Sequence, residues 1–75
     1  MSDKDGNIEH YERRFGVIAI EKGFITPDDL IKALMVQVHE EIEYETHRQT
    51  GEILFDQGIM SGNQIEEVVK AVLQQ

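Results

Sequence analysis

The chain contains two copies of one segment, thirty-five residues apart, and this internal repeat constrains the fold more than any other feature. RFGVIAIEKGFITPDDL begins at residue 14, and QTGEILFDQGIMSGNQI begins at residue 49. The shift aligns Gly16 with Gly51 and Gly23 with Gly58 without a gap. Each copy reads as an apolar helix, a glycine stop and a capped second helix, which is typical of a helical hairpin. The repeat therefore predicts an all-α fold, a small pseudo-twofold array of two hairpins and four helices.

Capping residues mark the turn of each hairpin. Gly23 and Gly58 each follow a predicted helix, where glycine adopts a left-handed backbone conformation at low cost. Thr26 is predicted to cap the next helix in the first copy, and Ser61 forms a capping box with Gln64 in the second. We predict a flexible polar tail over 1–8 and one domain over 9–75. The domain contains repeat one at 14–37, a linker or helix extension at 38–48, and repeat two at 49–73. The predicted helices cover 9–22, 27–46, 48–57 and 62–74.

The apolar residues follow the spacing of helices that bury one face. The predicted core stripes are Tyr11, Phe15 and Ile18; Leu30, Leu34 and Val38; Ile53 and Leu54; and Ile65, Val69 and Val72.

The second helix of each copy carries more apolar residues than one face needs. Either the array surrounds and buries these residues, or they form a patch for a partner helix or a second copy of the chain. In the second interpretation Met35 and Met60 supply adaptable contacts. The additional apolar residues are Ile31, Met35, Val36, Ala71 and Leu73.

Composition narrows the range of functions. Fifteen acidic against seven basic residues give a net charge of −8, which disfavours DNA or RNA as a partner. The chain has no cysteine, so it has neither a disulfide nor a thiolate metal site, as is usual in the cytoplasm. We find no segment typical of a signal peptide or a membrane span. We therefore expect a cytoplasmic protein without membrane insertion.

Two groups of polar residues have spacings that could form a site. His39, Glu43 and His47 would share one face of an unbroken helix and bind a metal there, but they lack a fourth ligand, so we expect no metal. Paired carboxylates can act in catalysis, but on neighbouring exposed turns they are typical of a solvated acidic face, as we expect for Glu40, Glu41, Glu43 and Glu45. No nucleophile is marked by a neighbouring base, so we expect no enzymatic activity.

The first copy also resembles a known family. RFGVIAIEKGFITPDDLIKALMVQ, over 14–37, is similar to the repeated motif in the N-terminal domain of bacterial type II secretion and type IV pilus assembly ATPases, and 49–73 is similar more loosely. In the MshE-like branch of that family, two tandem motifs bind one cyclic di-GMP. The resemblance implies ligand-binding positions at Arg14, Phe15, Gly16, Gly23, Leu30, Leu34, Gln37, Gly51, Leu54 and Gly58.

The second copy departs from the family motif. Gln49, Thr50 and Val72 stand where the motif has arginine, leucine and glutamine, which removes a phosphate-seeking charge and a polar contact. We therefore expect a non-catalytic protein-interaction or regulatory module that presents the face of helices 27–46 and 62–74 to a partner. The alternative is a cyclic di-GMP sensor, in which Arg14 and Gln37 contact the ligand. No other cofactor is expected.

Gly16 and Gly51 have a different interpretation in the interaction module and in the cyclic di-GMP sensor. As packing positions, Gly16 and Gly51 let the first helix of a copy approach its neighbour closely. As ligand positions, they give backbone access, and a helix start at Arg14 to Gly16 offers N–H groups to an anion.

Overall fold

The structure is a computed structural model that describes the backbone of residues 3–74 and the side chains of residues 10–74. The described chain forms four helices and no strand, which confirms the predicted small all-α fold. None of these helices is long and apolar enough to cross a membrane. The helices are α1 (Asp3–Glu21), α2 (Pro27–Tyr44), α3 (Thr50–Asp56) and α4 (Gly62–Leu73).

The first helix begins earlier than the sequence predicted. α1 starts at Asp3, whereas the predicted start was near residue 9. Residues 3–8 contain no proline, and acidic residues at 3 and 5 suit the positive end of a helix dipole. α1 therefore includes residues 3–8, which the sequence analysis assigned to the polar tail. Residues 1 and 2 of that tail, and Gln75 of the predicted domain, lie outside the described residues.

Both glycine stops are confirmed. Gly23 and Gly58 have φ angles of 79° and 75°, in the left-handed region. Beyond each glycine the chain turns back onto its helix: the Phe24 N–H donates to the Ala19 carbonyl at 3.0 Å, and the Ile59 N–H donates likewise in the second copy. These bonds satisfy carbonyls that the end of a helix leaves free.

The predicted caps of α2 and α4 are also confirmed. The Asp29 N–H donates to Thr26 Oγ1 at 3.1 Å, and the Thr26 N–H donates to the Asp29 carboxylate at 3.0 Å. Ser61 and Gln64 form the same reciprocal pair at the start of α4. At its other end α2 stops at Tyr44, and Glu45 has a left-handed backbone with φ 54°. Residues 38–44 therefore extend the helix, and 45–49 form the loop to α3.

The two copies interlock. α1 packs mainly against α4, and α2 packs mainly against α3, so the first helix of each copy contacts the second helix of the other. Most core residues come in pairs thirty-five positions apart, such as Ile18 with Ile53 and Ala33 with Val68. The core consists of Phe15, Ile18, Ala19, Ile25, Ala33, Ile53, Leu54, Met60 and Val68.

The buried face of α2 differs from the predicted stripe. Ala33 and Gln37 are buried, whereas Leu34 and Val38 are exposed. The separation of packed helices depends on the side chains at the contact, and the small Ala33 lets α2 approach its neighbours with this face inward. Met60 is also buried in the core, so its predicted role in a surface patch is wrong.

Candidate interaction surface

Large apolar side chains line the outer face of α2. Their spacing of four, three and four residues keeps them within one narrow sector of the helix, over about three turns. We call these four residues the α2 stripe: Ile31, Met35, Val38 and Ile42, which are 54%, 67%, 51% and 73% exposed. Leu34 borders the stripe, and with Ile31, Met35, Val38 and His39 it lines a shallow apolar depression. A contiguous apolar surface of this kind is typical of an interaction site.

The corresponding face of α4 is charged at two of the three positions that it shares with the stripe, and the third position, Leu73, corresponds to Val38. A shift of thirty-five places carries Ile31 to Glu66 and Met35 to Lys70. The two α4 side chains form an ion pair at 3.4 Å on the helix surface. Two helices in equivalent positions of the repeat therefore have different outer faces. The α4 pair shows that the fold does not require apolar residues at the positions of Ile31 and Met35.

A polar cluster under the C-terminal half of α2 joins three helices. The Gln37 side-chain amide donates to Glu12 Oε1 at 3.0 Å and to the Arg48 carbonyl at 2.8 Å. The Thr50 N–H also donates to Glu12 Oε1, at 3.3 Å. Within the described residues, the buried atoms Glu12 Oε2 and Thr50 Oγ1 have no hydrogen-bond partner. This cluster fixes the start of α3 against α1 and α2.

Arg48 fastens the loop between α2 and α3. Its Nε and Nη2 donate to the two carboxylate oxygens of Glu40 at 2.9 and 2.8 Å, and its Nη1 donates to Asp56. The hydrogen bonds from Arg48 lower the pKa of Glu40 from its ordinary value of 4.5. The same bonds, first to Glu40 and then to Asp56, raise the pKa of Arg48. The bidentate geometry orients the loop as well as stabilising it.

The positions implied by the family resemblance are divided between two cavities. Leu30, Leu34 and Gln37 line a groove of about 350 Å³, together with Glu12, Arg13, Glu41 and His47. Phe15 and Gly51 line a separate cleft of about 260 Å³, together with Tyr11, Glu52 and Phe55. Burial, and then the charge of Glu12, raise the pKa of Tyr11 at this cleft. Arg14 lines neither cavity.

The remaining positions of that set lie elsewhere. Gly16 and Leu54 are buried in the interior, and Gly23 and Gly58 lie at the helix ends described above. The predicted helix start at Arg14 to Gly16 is wrong, because α1 begins at Asp3 and places these residues in the middle of a helix. An interior helical N–H donates to a carbonyl four residues back and is not free for an anion.

Both repeated glycines instead lie at close contacts. A Cβ atom at Gly16 would lie 2.7 and 2.9 Å from the two Cδ atoms of Leu30. A Cβ atom at Gly51 would lie 2.9 Å from Cζ of Phe15. These distances are shorter than normal contacts, which supports the packing interpretation of both glycines.

The predicted histidine face is interrupted. His47 lies in the loop beyond the end of α2, so it does not continue the line of His39 and Glu43. It instead contacts Glu41 through Nδ1, and its Nε2 lies 3.8 Å from Glu12 Oε1. Among the residues that the structure describes, no group of three His, Asp or Glu side chains has the geometry of a metal site.

Sequence reasoning missed Glu12 and Arg48, which organise the polar cluster. Neither belongs to a motif, and the structure joins them to Gln37 across separations of 25 and 11 residues. One signal was available, since Arg48 is a lone cation after a run of glutamates.

Comparison with family models, with curated proteins and with solved structures found no match for this chain. The assignment of function therefore depends on the geometry described above.

Proposed function

We propose that this chain is a non-catalytic, cytoplasmic protein-interaction module that docks one amphipathic helix on the α2 stripe. The observation that carries the proposal is the contrast between the equivalent helices α2 and α4. The stripe has apolar residues where α4 has Glu66 and Lys70. Contiguous exposed apolar side chains on a globular protein mark interaction sites, which favours a binding role for the stripe.

The shape of the stripe favours a helix as the ligand. Side chains at intervals of three and four residues present a continuous ridge, which packs against a similar ridge on another helix. Met35 lies near the middle of the stripe, where its flexible thioether side chain adapts to different apolar surfaces. The polar cluster and the Arg48 bonds hold the opposite side of α2 on α1 and α3, so the docking face is held in place.

Binding of a designed peptide tests this proposal. The probe is a fluorescent amphipathic helical peptide with leucines at heptad spacing and lysines on its polar face, and its control is a scrambled peptide of the same composition. Met35→Glu should weaken binding about tenfold or more, because it places a charge in the apolar contact. Leu73→Glu makes the same charge change at an exposed apolar residue of α4 and should bind as the wild type does.

Fluorescence anisotropy at low micromolar chain concentration measures both variants. Equal strengthening by the two substitutions would indicate general electrostatic attraction to the cationic peptide and would contradict the proposal. Equal weakening would show that the contact is not specific to the stripe and would contradict it too. Binding of the scrambled peptide as tightly as the helical one would contradict it as well.

The alternative function, a cyclic di-GMP sensor, keeps one supporting observation. Leu30, Leu34 and Gln37 line a common groove beside the cationic Arg13. However, the carboxylates of Glu12 and Glu41 line the same groove and would repel an anionic nucleotide.

A titration tests the sensor alternative. Cyclic di-GMP would be added to isotope-labelled protein while the amide signals of Gly16, Gly51 and Gln37 are followed. Saturable shifts confined to these positions and the groove would support the sensor function, and no shifts at millimolar ligand would exclude it.

A further inference from the structure

We propose that the helix docking on the α2 stripe is α2 of a second copy of this chain, and that the two helices run antiparallel. This inference rests on the proposed function and specifies the partner. Three observations support it: the symmetry of the spacing, the amount of apolar surface and the distribution of charge along α2.

The spacing of the stripe reads the same in both directions. Ile31, Met35, Val38 and Ile42 are separated by four, three and four residues. If α2 of a second copy runs in the opposite direction, and the midpoint between residues 36 and 37 is shared by both helices, the two stripes are in register. Ile31 then lies opposite Ile42 of the second copy, and Met35 lies opposite Val38 of the second copy. The spacings of four, three and four residues are those between successive a and d positions of a heptad, so these pairs form the core layers of a short antiparallel coiled coil.

The amount of apolar surface suits a modest dimer. The exposed parts of the stripe and of Leu34 come to roughly 500 Å² per chain, at the level of apolar patches that mark interaction sites. Two copies would bury about 1,000 Å², which is near the lower limit for a specific interface. We therefore expect a dimer that dissociates on dilution.

The charges of α2 favour the antiparallel direction. The acidic residues Glu41, Glu43 and Glu45 crowd the C-terminal part of the helix. A parallel pair would bring the two acidic C-terminal ends together, whereas an antiparallel pair places each of them opposite the N-terminal end, where Lys32 offsets part of the charge of Asp28 and Asp29. By helical spacing, Lys32 and Glu43 lie on the same side of the stripe. The antiparallel arrangement therefore brings Lys32 of each copy close to Glu43 of the other, which gives two equivalent ion pairs. Within the described part of the chain, Lys32 forms no ion pair.

Sedimentation equilibrium from about 10 μM to 1 mM measures the self-association. The wild type should pass from monomer to dimer across this range. Met35→Glu should lower the association constant at least tenfold, since each dimer then contains two buried charges. Leu73→Glu, with equal charge and similar exposure outside the stripe, should associate as the wild type does.

Disulfide trapping tests whether the two α2 helices run antiparallel. The sequence contains no cysteine, so only the introduced cysteines can form a disulfide. An oxidised mixture of Ile31→Cys and Ile42→Cys should form the mixed disulfide in preference to either symmetric one. In the antiparallel register the two copies of residue 31 are roughly 16 Å apart along the axis, too far for a disulfide. Symmetric disulfides at 31 and at 42 would instead show a parallel pair and overturn the inference.

The outcomes also separate this inference from the proposed function. A wild type that stays monomeric at 1 mM would overturn the second copy as partner, and so would a dimer insensitive to Met35→Glu. If the designed peptide still binds the stripe in that case, the docking function stands with a different partner. If neither the peptide nor a second copy binds, both proposals fail.

Discussion

At the scale of single residues, the two repeated glycines have the same purpose in different surroundings. Gly16 lies under the methyl groups of Leu30, which is partly exposed and has room to move. Gly51 lies under the ring of Phe15, which is only 2% exposed and is held by the core. A methyl group at the second position therefore meets the more rigid neighbour.

We expect Gly51→Ala to lower the free energy of unfolding by about 1–2 kcal/mol, because the buried ring of Phe15 must shift. Gly16→Ala should stay within about 1 kcal/mol of the wild type, since the flexible Leu30 yields and the middle of a helix gains from alanine. Urea unfolding of both variants measures the difference. Equal losses of unfolding free energy in the two variants would contradict the expectation that the buried Phe15 yields less than the partly exposed Leu30.

The buried side chain of Gln37 is a second residue whose contribution to stability can be measured. Its amide supplies donors to Glu12 and to the Arg48 carbonyl, and the residue is only 8% exposed. Gln37→Met keeps a similar volume but leaves two acceptors without this donor, so it should destabilise the protein by about 1–3 kcal/mol. The matched control is Gln57→Met at an exposed position, which should change the urea midpoint very little. An equally small effect at both positions would show that the buried amide contributes nothing.

At the scale of elements, the sequence predicted helix type and stop signals well. Caps and left-handed glycines depend on neighbours within four residues, so Thr26, Ser61, Gly23 and Gly58 are readable locally. The face that α2 buries was not readable, because Leu34 and Ala33 differ by one position and only the packing partner decides between them. The start of α1 was missed because Gly6 and Asn7 are weak helix formers, which favours a later start.

The loop from α2 to α3 should respond to acid through Arg48. The pKa of Glu40 is lowered in the folded protein, so the folded state favours the carboxylate. The stability from this pair is present above the ordinary pKa of 4.5 and is lost as the pH falls through the lowered value. Arg48→Met removes the cause, and its destabilisation relative to the wild type should therefore be larger at pH 7 than at pH 3.

Urea unfolding at several pH values checks this expectation. Lys22→Met serves as the control, because it removes an ion pair between the residue that follows α1 and Glu67 of α4, whose carboxylate is more exposed than that of Glu40. It should show a smaller change with pH. A penalty for Arg48→Met that is constant from pH 7 to pH 3 would contradict the assigned role of Glu40.

At the scale of the whole molecule, the repeat gives an approximately symmetric core and an asymmetric surface. The pairing of α1 with α4 and of α2 with α3 follows from the interlocked hairpins, and the four-helix array was predictable from the shift of thirty-five residues. The site was only partly predictable. Excess apolar residues on the second helix were visible in the sequence, but Val38 was assigned to the core and Ile42 was overlooked. Exposure is a property of the assembled fold rather than of local spacing.

We propose that the α2 stripe is a binding surface for a helix, and one experiment observes that surface itself. Methyl-resolved NMR follows the protein at low concentration as it is titrated with the lysine-rich amphipathic peptide. We expect saturable shifts at the methyl groups of Ile31, Met35, Val38 and Ile42, with the core methyl groups of Ile53 and Leu54 little changed. Shifts centred on the cleft beside Phe55, or no shifts at millimolar peptide, would contradict it.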